Sequence, residues 1–321
     1  MRIDVHAHYW TNSYLDRVAA LGKPDTALVR GVGAGGGAEL DARLELMESA
    51  GVDLQVLSAS PQLPNSMDEA GCVAASRFVN DQYADVIRKY PTSFRAFASL
   101  PLPHLDAAHA EMARCLDELG MIGVTSTTSV LGRALTEPHF APLFEELDRR
   151  EAVLFLHPVG NGACTPLIAD HHATWMVGAP VEDTISVAHL IIAGIPLRYP
   201  GIRIINSHLG GAVPMLLQRM DNMYRWEAPE TPELPSTSAK RMWYDTVAHG
   251  HVPALRCACE SFGAGQLLLG TDFPAEAGNV FRRAVTYVAE AGLPAGEVDA
   301  ILSTNAATVL GLAPPTTGTI Q

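Results

Sequence analysis

Val5-His6-Ala7-His8 is the first stretch of this 321-residue chain able to do chemistry. Along a strand, alternate side chains share a face about 6.6–7 Å apart, so His6 and His8 point the same way and can close on one metal ion, with Ala7 turned aside. The preceding Arg2-Ile3-Asp4-Val5 reads as the strand itself, with Ile3 and Val5 on the face opposite Asp4, His6 and His8. Three further positions have suitable chemistry: His157 in Leu156-His157-Pro158, His208 in Asn206-Ser207-His208-Leu209-Gly210-Gly211, and Asp272 in Gly270-Thr271-Asp272-Phe273-Pro274. Each closes a short apolar run. If the fold brings these ends together, three or four imidazoles and one carboxylate make a good set for Zn²⁺, and an acceptable one for Mn²⁺, Fe²⁺ or Co²⁺.

The elements that must position them alternate along the whole chain. Strand-like runs at Asp53 to Ser58, Phe94 to Leu100, Ile122 to Thr125, Ala152 to Leu156, Ile202 to Asn206, Met242 to Thr246 and Gln266 to Gly270 follow the first strand. Each strand is followed by a stretch with helical spacing, and two short helices are expected at the C-terminal end. Eight such units in one undivided chain predict a (β/α)₈ TIM barrel with parallel strands, a single domain over residues 1–321. In that fold functional residues belong at the C-terminal ends of strands, where His6, His8, His157, His208 and Asp272 all fall. A doubly wound sheet would carry a glycine fingerprint after the first strand, and here that place holds the histidine pair. The long connection over residues 9 to 39, ending in Gly31-Val32-Gly33-Ala34-Gly35-Gly36-Gly37, lacks the Lys-Ser/Thr of a P-loop and reads as a flexible, lid-like loop over the end of strand one.

Composition narrows the class. Hydrophobic residues make up 48% and charged residues 18%, which suits a large buried core. A formal charge of −13 argues against nucleic acid or an anionic membrane surface as partner. The five cysteines are odd in number and scattered, so a reducing compartment is expected rather than a disulfide framework. No basic, apolar leader precedes the first strand, and no apolar run is long enough to span a bilayer, so a soluble, cytoplasmic protein is expected.

The His-Ala-His run, Gly270-Thr271-Asp272-Phe273-Pro274, Asn305-Ala306-Ala307, the segment Trp175 to Thr184 and Ser207-His208-Leu209-Gly210-Gly211-Ala212-Val213-Pro214 together resemble the metal-dependent amidohydrolase superfamily over nearly the whole chain. The resemblance is to its branch of α-amino-β-carboxymuconate-ε-semialdehyde decarboxylase and related nonoxidative decarboxylases. Thr125-Ser126-Thr127-Thr128 stands where some members carry a carboxylated lysine, which favours one metal. Carried over residue by residue, the resemblance makes His6, His8, His157 and Asp272 the ligands of one divalent ion, most simply Zn²⁺, and makes His208 the residue that activates its water. Asp272 would both anchor the ion and accept a hydrogen bond from that water.

The same resemblance places Arg30 and Trp175 at the substrate and has Arg219 supplied across a homodimer interface. His249, after strand seven, points toward the same end of the barrel and is a candidate substrate contact. Two arginines would orient a carboxylate substrate bidentately. The expected reaction is nonoxidative decarboxylation of an aromatic or muconate-like acid. The alternatives are hydrolysis of a lactone, amide or ester, or a cyclase or dehydratase reaction, all on the same site. A barrel that binds metal or ligand without catalysis is disfavoured, because an open coordination position is a catalytic habit.

Overall fold

The computed structural model describes residues 1–23, 26–30 and 37–312. The short apolar runs form eight parallel strands arranged in sequence order: β1 (Ile3–His8), β2 (Leu54–Ser58), β3 (Phe94–Ser99), β4 (Gly123–Thr127), β5 (Val153–His157), β6 (Arg203–Asn206), β7 (Trp243–Asp245) and β8 (Leu267–Leu268). The chain after β8 closes the ring on β1. The Val5 amide donates to Leu269 O (2.9 Å), the Asp272 amide to His6 O (2.9 Å) and the His8 amide to Phe273 O (2.6 Å). Ala7 and Phe273 form a parallel bridge there. This is the (β/α)₈ barrel implied by the alternation.

The helices that follow the strands are α1 (Gly37–Ala50), α2 (Glu69–Lys89), α3 (Leu105–Ala113), α4 (Ala141–Arg149), α5 (Ala179–Ile192), α6 (Val213–Glu227), α7 (Val252–Phe262) and α8 (Gly278–Glu290). Two apolar clusters result, as the architecture demands. Ile3, Val56, Phe97, Phe155, Ile205 and Leu268 belong to the one that fills the barrel, and a larger one lies between strands and helices.

Two expectations are corrected. Part of the connection expected to be a flexible loop is a helix, Asn12–Ala20, which buries Tyr14, Leu15 and Val18 and is capped by Thr11 accepting from the Tyr14 amide. Three apolar side chains at helical spacing outweigh the turn-rich sequence around them. Most of the glycine-rich run, residues 31–36, lies outside the described residues. Strict alternation in β1 also fails. The pairing with β2 shifts register between Asp4 and Ala7, so Val5 joins the barrel interior while the adjacent His6 ring lies 5.1 Å from Phe155 in the same interior. A β-bulge produces this change of face. Asp4 turns instead to Gln55 and Thr271.

Candidate metal centre

The ends of β1 and β5 and the turns after β6 and β8 bring the candidate residues to one mouth of the barrel. One ligand atom from each of His6, His157, His208 and Asp272 lies within 4.8 Å of the others. His8 stands in the same cluster, its Nε2 2.9 Å from Asp272 Oδ1 and 3.1 Å from His6 Nε2. The His8 ring is stacked nearly parallel on Trp10 at 5.2 Å, and Trp10 is fixed by its indole N–H donating to Ala59 O at 2.8 Å.

Hydrogen bonds on the far side of three of the four rings settle which nitrogen faces the cluster, while His8 Nδ1 is buried without a hydrogen-bond partner. His6 Nδ1 lies 2.7 Å from Asp245 Oδ2, His208 Nδ1 lies 2.9 Å from Asp183 Oδ2, and His157 Nδ1 lies 2.9 Å from the Pro158 carbonyl. Carboxylate and carbonyl oxygens accept, so each Nδ1 carries the proton, and in the neutral ring each Nε2 is a lone pair. His157 Nε2 is buried with no hydrogen-bond partner. An orphaned, inward-facing lone pair beside two others and a carboxylate is the pattern a cation completes, and the outer carboxylates orient the rings as metal-site partners do. The residues present therefore fit a divalent ion.

The charges agree. Asp183 and Asp245 are buried and Asp272 nearly so, and neutral imidazoles do not offset them. Burial alone would depress His6, but Asp245 and Asp272 outweigh it and lift its pKa to about 9. Burial works against His208 as well, yet Asp183 and Asp272 hold it well above the usual histidine value. Burial, with the neighbouring His8, His6 and His208, pushes His157 well below that value despite Asp272. The cage attracts positive charge.

Local backbone serves the same end. His208 (φ 51°), Leu209 (φ 58°) and Asp272 (φ 56°) adopt left-handed conformations that L residues rarely take, where the turn re-aims the side chain after a strand. Gly211 has no alternative: a Cβ there would run into Pro180 O and Thr184, whose hydroxyl accepts from the Ala212 amide at 2.8 Å.

The four expected substrate residues are placed differently. His249 (φ 51°) sits on the rim, three-quarters exposed, with Nδ1 paired to the buried carboxylate of Glu276, which follows Asp272 by one turn. Arg30 is paired at the surface with Asp16 (2.7 Å). Arg219 is exposed on α6. Trp175, in the short helical segment Thr174–Gly178, lays its ring against Gly160 and is 43% exposed. Asp272 and His208 of the cluster act electrostatically on His249.

Sequence reading missed Asp183, Asp245 and Glu276. Asp245 ends β7, so the strand-end rule that found the histidines also marks it. Asp183 lies inside the segment that carried the resemblance but is not at a strand end. Glu276 lifts the His249 imidazole above the ordinary 6.5. A raised histidine pKa contributes stability that is fully present below the unfolded value and is lost as pH rises through the folded one. An NMR titration of His249 is therefore expected to give a midpoint above 6.5 that moves down in Glu276→Gln. An unchanged midpoint in that variant would break the assignment of the pair.

Comparison with known proteins agrees with the geometry. Residues 3–312 match the amidohydrolase family Amidohydro_2. The chain is 28% identical over 242 residues to 2-amino-3-carboxymuconate-6-semialdehyde decarboxylase of Dictyostelium discoideum, covering 73% of this chain and 66% of that protein. It is 29% identical over 318 residues to 6-methylsalicylic acid decarboxylase of Aspergillus aculeatus, covering 95% of this chain and 94% of that protein. Among solved structures, the manganese-bound dihydroxybenzoic acid decarboxylase of Polaromonas sp. JS666 superposes with a TM-score of 0.83 at 24% identity, covering 97% of this chain and 96% of that one. With its barrel, its histidine and aspartate cluster and a family match over almost its full length, this chain belongs to the amidohydrolase family.

Proposed function

We propose that this chain is a metal-dependent, nonoxidative decarboxylase of an aromatic or muconate-like carboxylic acid. The observation that carries the reading is the convergence of three imidazole lone pairs on a carboxylate, at the barrel mouth of a chain whose relatives are named as decarboxylases. His6, His8, His157 and Asp272 hold the ion in this proposal. A divalent ion there supplies Lewis acidity and offsets the charge of a carboxylate. Zn²⁺ is the proposed occupant, and Mn²⁺, bound in the Polaromonas enzyme, is its competitor.

His208 moves the proton. Its Nδ1 contact with Asp183 keeps Nε2 aimed at the cluster and stabilises the imidazolium form. The bond from the substrate carbon to its carboxylate breaks, the electron pair stays on that carbon, carbon dioxide leaves, and the proton that replaces it comes from His208 Nε2. His208 is then reprotonated from water. Arg30 exchanges Asp16 for a substrate carboxylate, and Trp175 and His249 border the bound acid.

A homodimer is part of the proposal. Met176, Met215 and Trp226 are 74%, 79% and 77% exposed, and the latter two flank Arg219 on α6, which offers large apolar side chains for a partner to cover. Pairing across it would carry Arg219 to the partner subunit. A cytoplasmic location is proposed from the five unpaired cysteines. No helix of the described residues is long and apolar enough to cross a membrane.

The test is a panel of hydroxybenzoates and muconate-type acids labelled at the carboxyl carbon, incubated with metal-loaded protein. Labelled carbon dioxide from at least one of them is expected. If none releases label while a lactone, amide or ester is cleaved under the same conditions, hydrolysis replaces decarboxylation.

A further inference from the structure

Arg43, on α1, is the largest fully buried side chain among the described residues, at 1% exposure. Burying a guanidinium costs several kcal/mol unless its donors are matched, and a seam between helix and barrel can be sealed by apolar side chains at lower cost. Its contacts show where that cost is spent. Nη2 donates to the carbonyl of His8 (2.8 Å), Nη1 to Gln55 Oε1 (3.2 Å), and Nε and Nη2 to Glu39 Oε1 (2.9 and 2.7 Å). The guanidinium carbon lies over the Phe273 ring, 4.4 Å from its centroid, one residue beyond Asp272.

The bonds continue beyond Arg43. Gln55 Nε2 donates to Asp4 Oδ2 (2.8 Å), and Asp4 accepts from the His6 amide (3.1 Å), the Thr271 amide (3.0 Å) and the Thr271 hydroxyl (2.6 Å). A buried polar chain, Glu39 to Arg43 to Gln55 to Asp4 to Thr271, thus runs beside the cluster and touches the backbone of His6 and His8 on one side and of the segment bearing Asp272 on the other. The two segments are more than 260 residues apart in sequence. The strand β8 itself has only two residues, and beyond it the two segments are joined by a single bridge and the backbone bonds from Asp272 to His6 and from His8 to Phe273.

We infer that Arg43 is a positioning residue of the metal centre: it clamps the end of β1 to the segment that carries Asp272, so that His8 and Asp272 meet at bonding distance. The inference rests on the metal-centre reading above. Lysine cannot replace it, since one ammonium cannot reproduce the fork of donors to the His8 carbonyl, Gln55 and Glu39.

The experiment is a Co²⁺ titration of metal-stripped protein against a competing chelator, for the wild type, Arg43→Lys and Glu39→Gln, with the visible bands of bound Co²⁺ and the melting temperature of the stripped protein recorded alongside. Arg43→Lys is expected to weaken Co²⁺ binding roughly 10–100-fold, the range that outer-shell metal partners command, and to shift the Co²⁺ bands. Glu39→Gln, at the outer end of the chain, keeps the guanidinium buried and supplies the result if Arg43→Lys does not fold; it is expected to weaken binding less, with a band shift of the same sense. Co²⁺ affinity within twofold of wild type and unchanged bands, even with a lowered melting temperature, would make Arg43 a stability residue only and overturn the inference. Wild-type protein that takes up no Co²⁺ would overturn the metal-centre reading, and the role of Arg43 would fall with it.

Discussion

Asp272→Asn is expected to lose metal binding and, with it, at least ~10³-fold in kcat, a larger loss than the ~10–100-fold that orienting partners command. Asparagine is the informative replacement because Asp272 has φ 56°. Asn tolerates that left-handed conformation, so the variant removes charge and little else. What it removes is the carboxylate that lies 2.9 Å from His8 Nε2 and 3.2 Å from His6 Nε2 and that holds its own pKa well down through those imidazoles and His208 despite burial. A circular dichroism spectrum and melting temperature close to wild type, with metal content near zero, is the expected combination. Retention of metal by Asp272→Asn would exclude the carboxylate as a ligand.

His208→Asn carries the second large effect, and here the metal is expected to stay. The left-handed conformation at His208 again favours Asn over Ala. Loss of a residue that transfers a proton in the rate-determining step lowers kcat by ~10²–10⁴-fold. If binding of substrate and ion is untouched, KM changes little. The balance between kcat and metal content decides the role of His208. A fall in kcat with full metal content assigns proton transfer. Loss of metal in His208→Asn would move His208 into the ligand set and His8 to a supporting place, an arrangement the 4.8 Å grouping of His6, His157, His208 and Asp272 also allows.

The barrel was legible because its cause is local. Apolar runs such as Val153-Leu154-Phe155-Leu156 and helices with buried residues at helical spacing, such as Cys72, Ala75, Ser76 and Val79 on α2, write their period directly into the sequence. Strand bounds fell within a residue or two of the observed ones for the same reason. The histidines and Asp272 were legible because barrel topology sends strand ends to one face.

What orients them was not legible. Asp245 meets His6 across 239 positions, and the Asp183 contact with His208 depends on how α5 packs against the turn after β6. Arg43 reads in sequence as an ordinary polar residue on a helix whose buried side is marked by Leu44 and Met47, and only closure of the barrel buries it. The bulge in β1 is equally tertiary: it arises where β1 must pair with β2 on one side and with the segment after β8 on the other.

The central claim, a metal-dependent decarboxylase, is tested most directly by stripping the protein of metal and restoring Zn²⁺ or Mn²⁺ stepwise while carbon dioxide release from an aromatic acid is followed. Release should be absent from the stripped protein and rise in proportion to added ion until about one ion per chain is bound, as a mononuclear site with an open position requires. Carbon dioxide release that persists undiminished in metal-free protein would contradict the account, as would full metal occupancy with no acid decarboxylated.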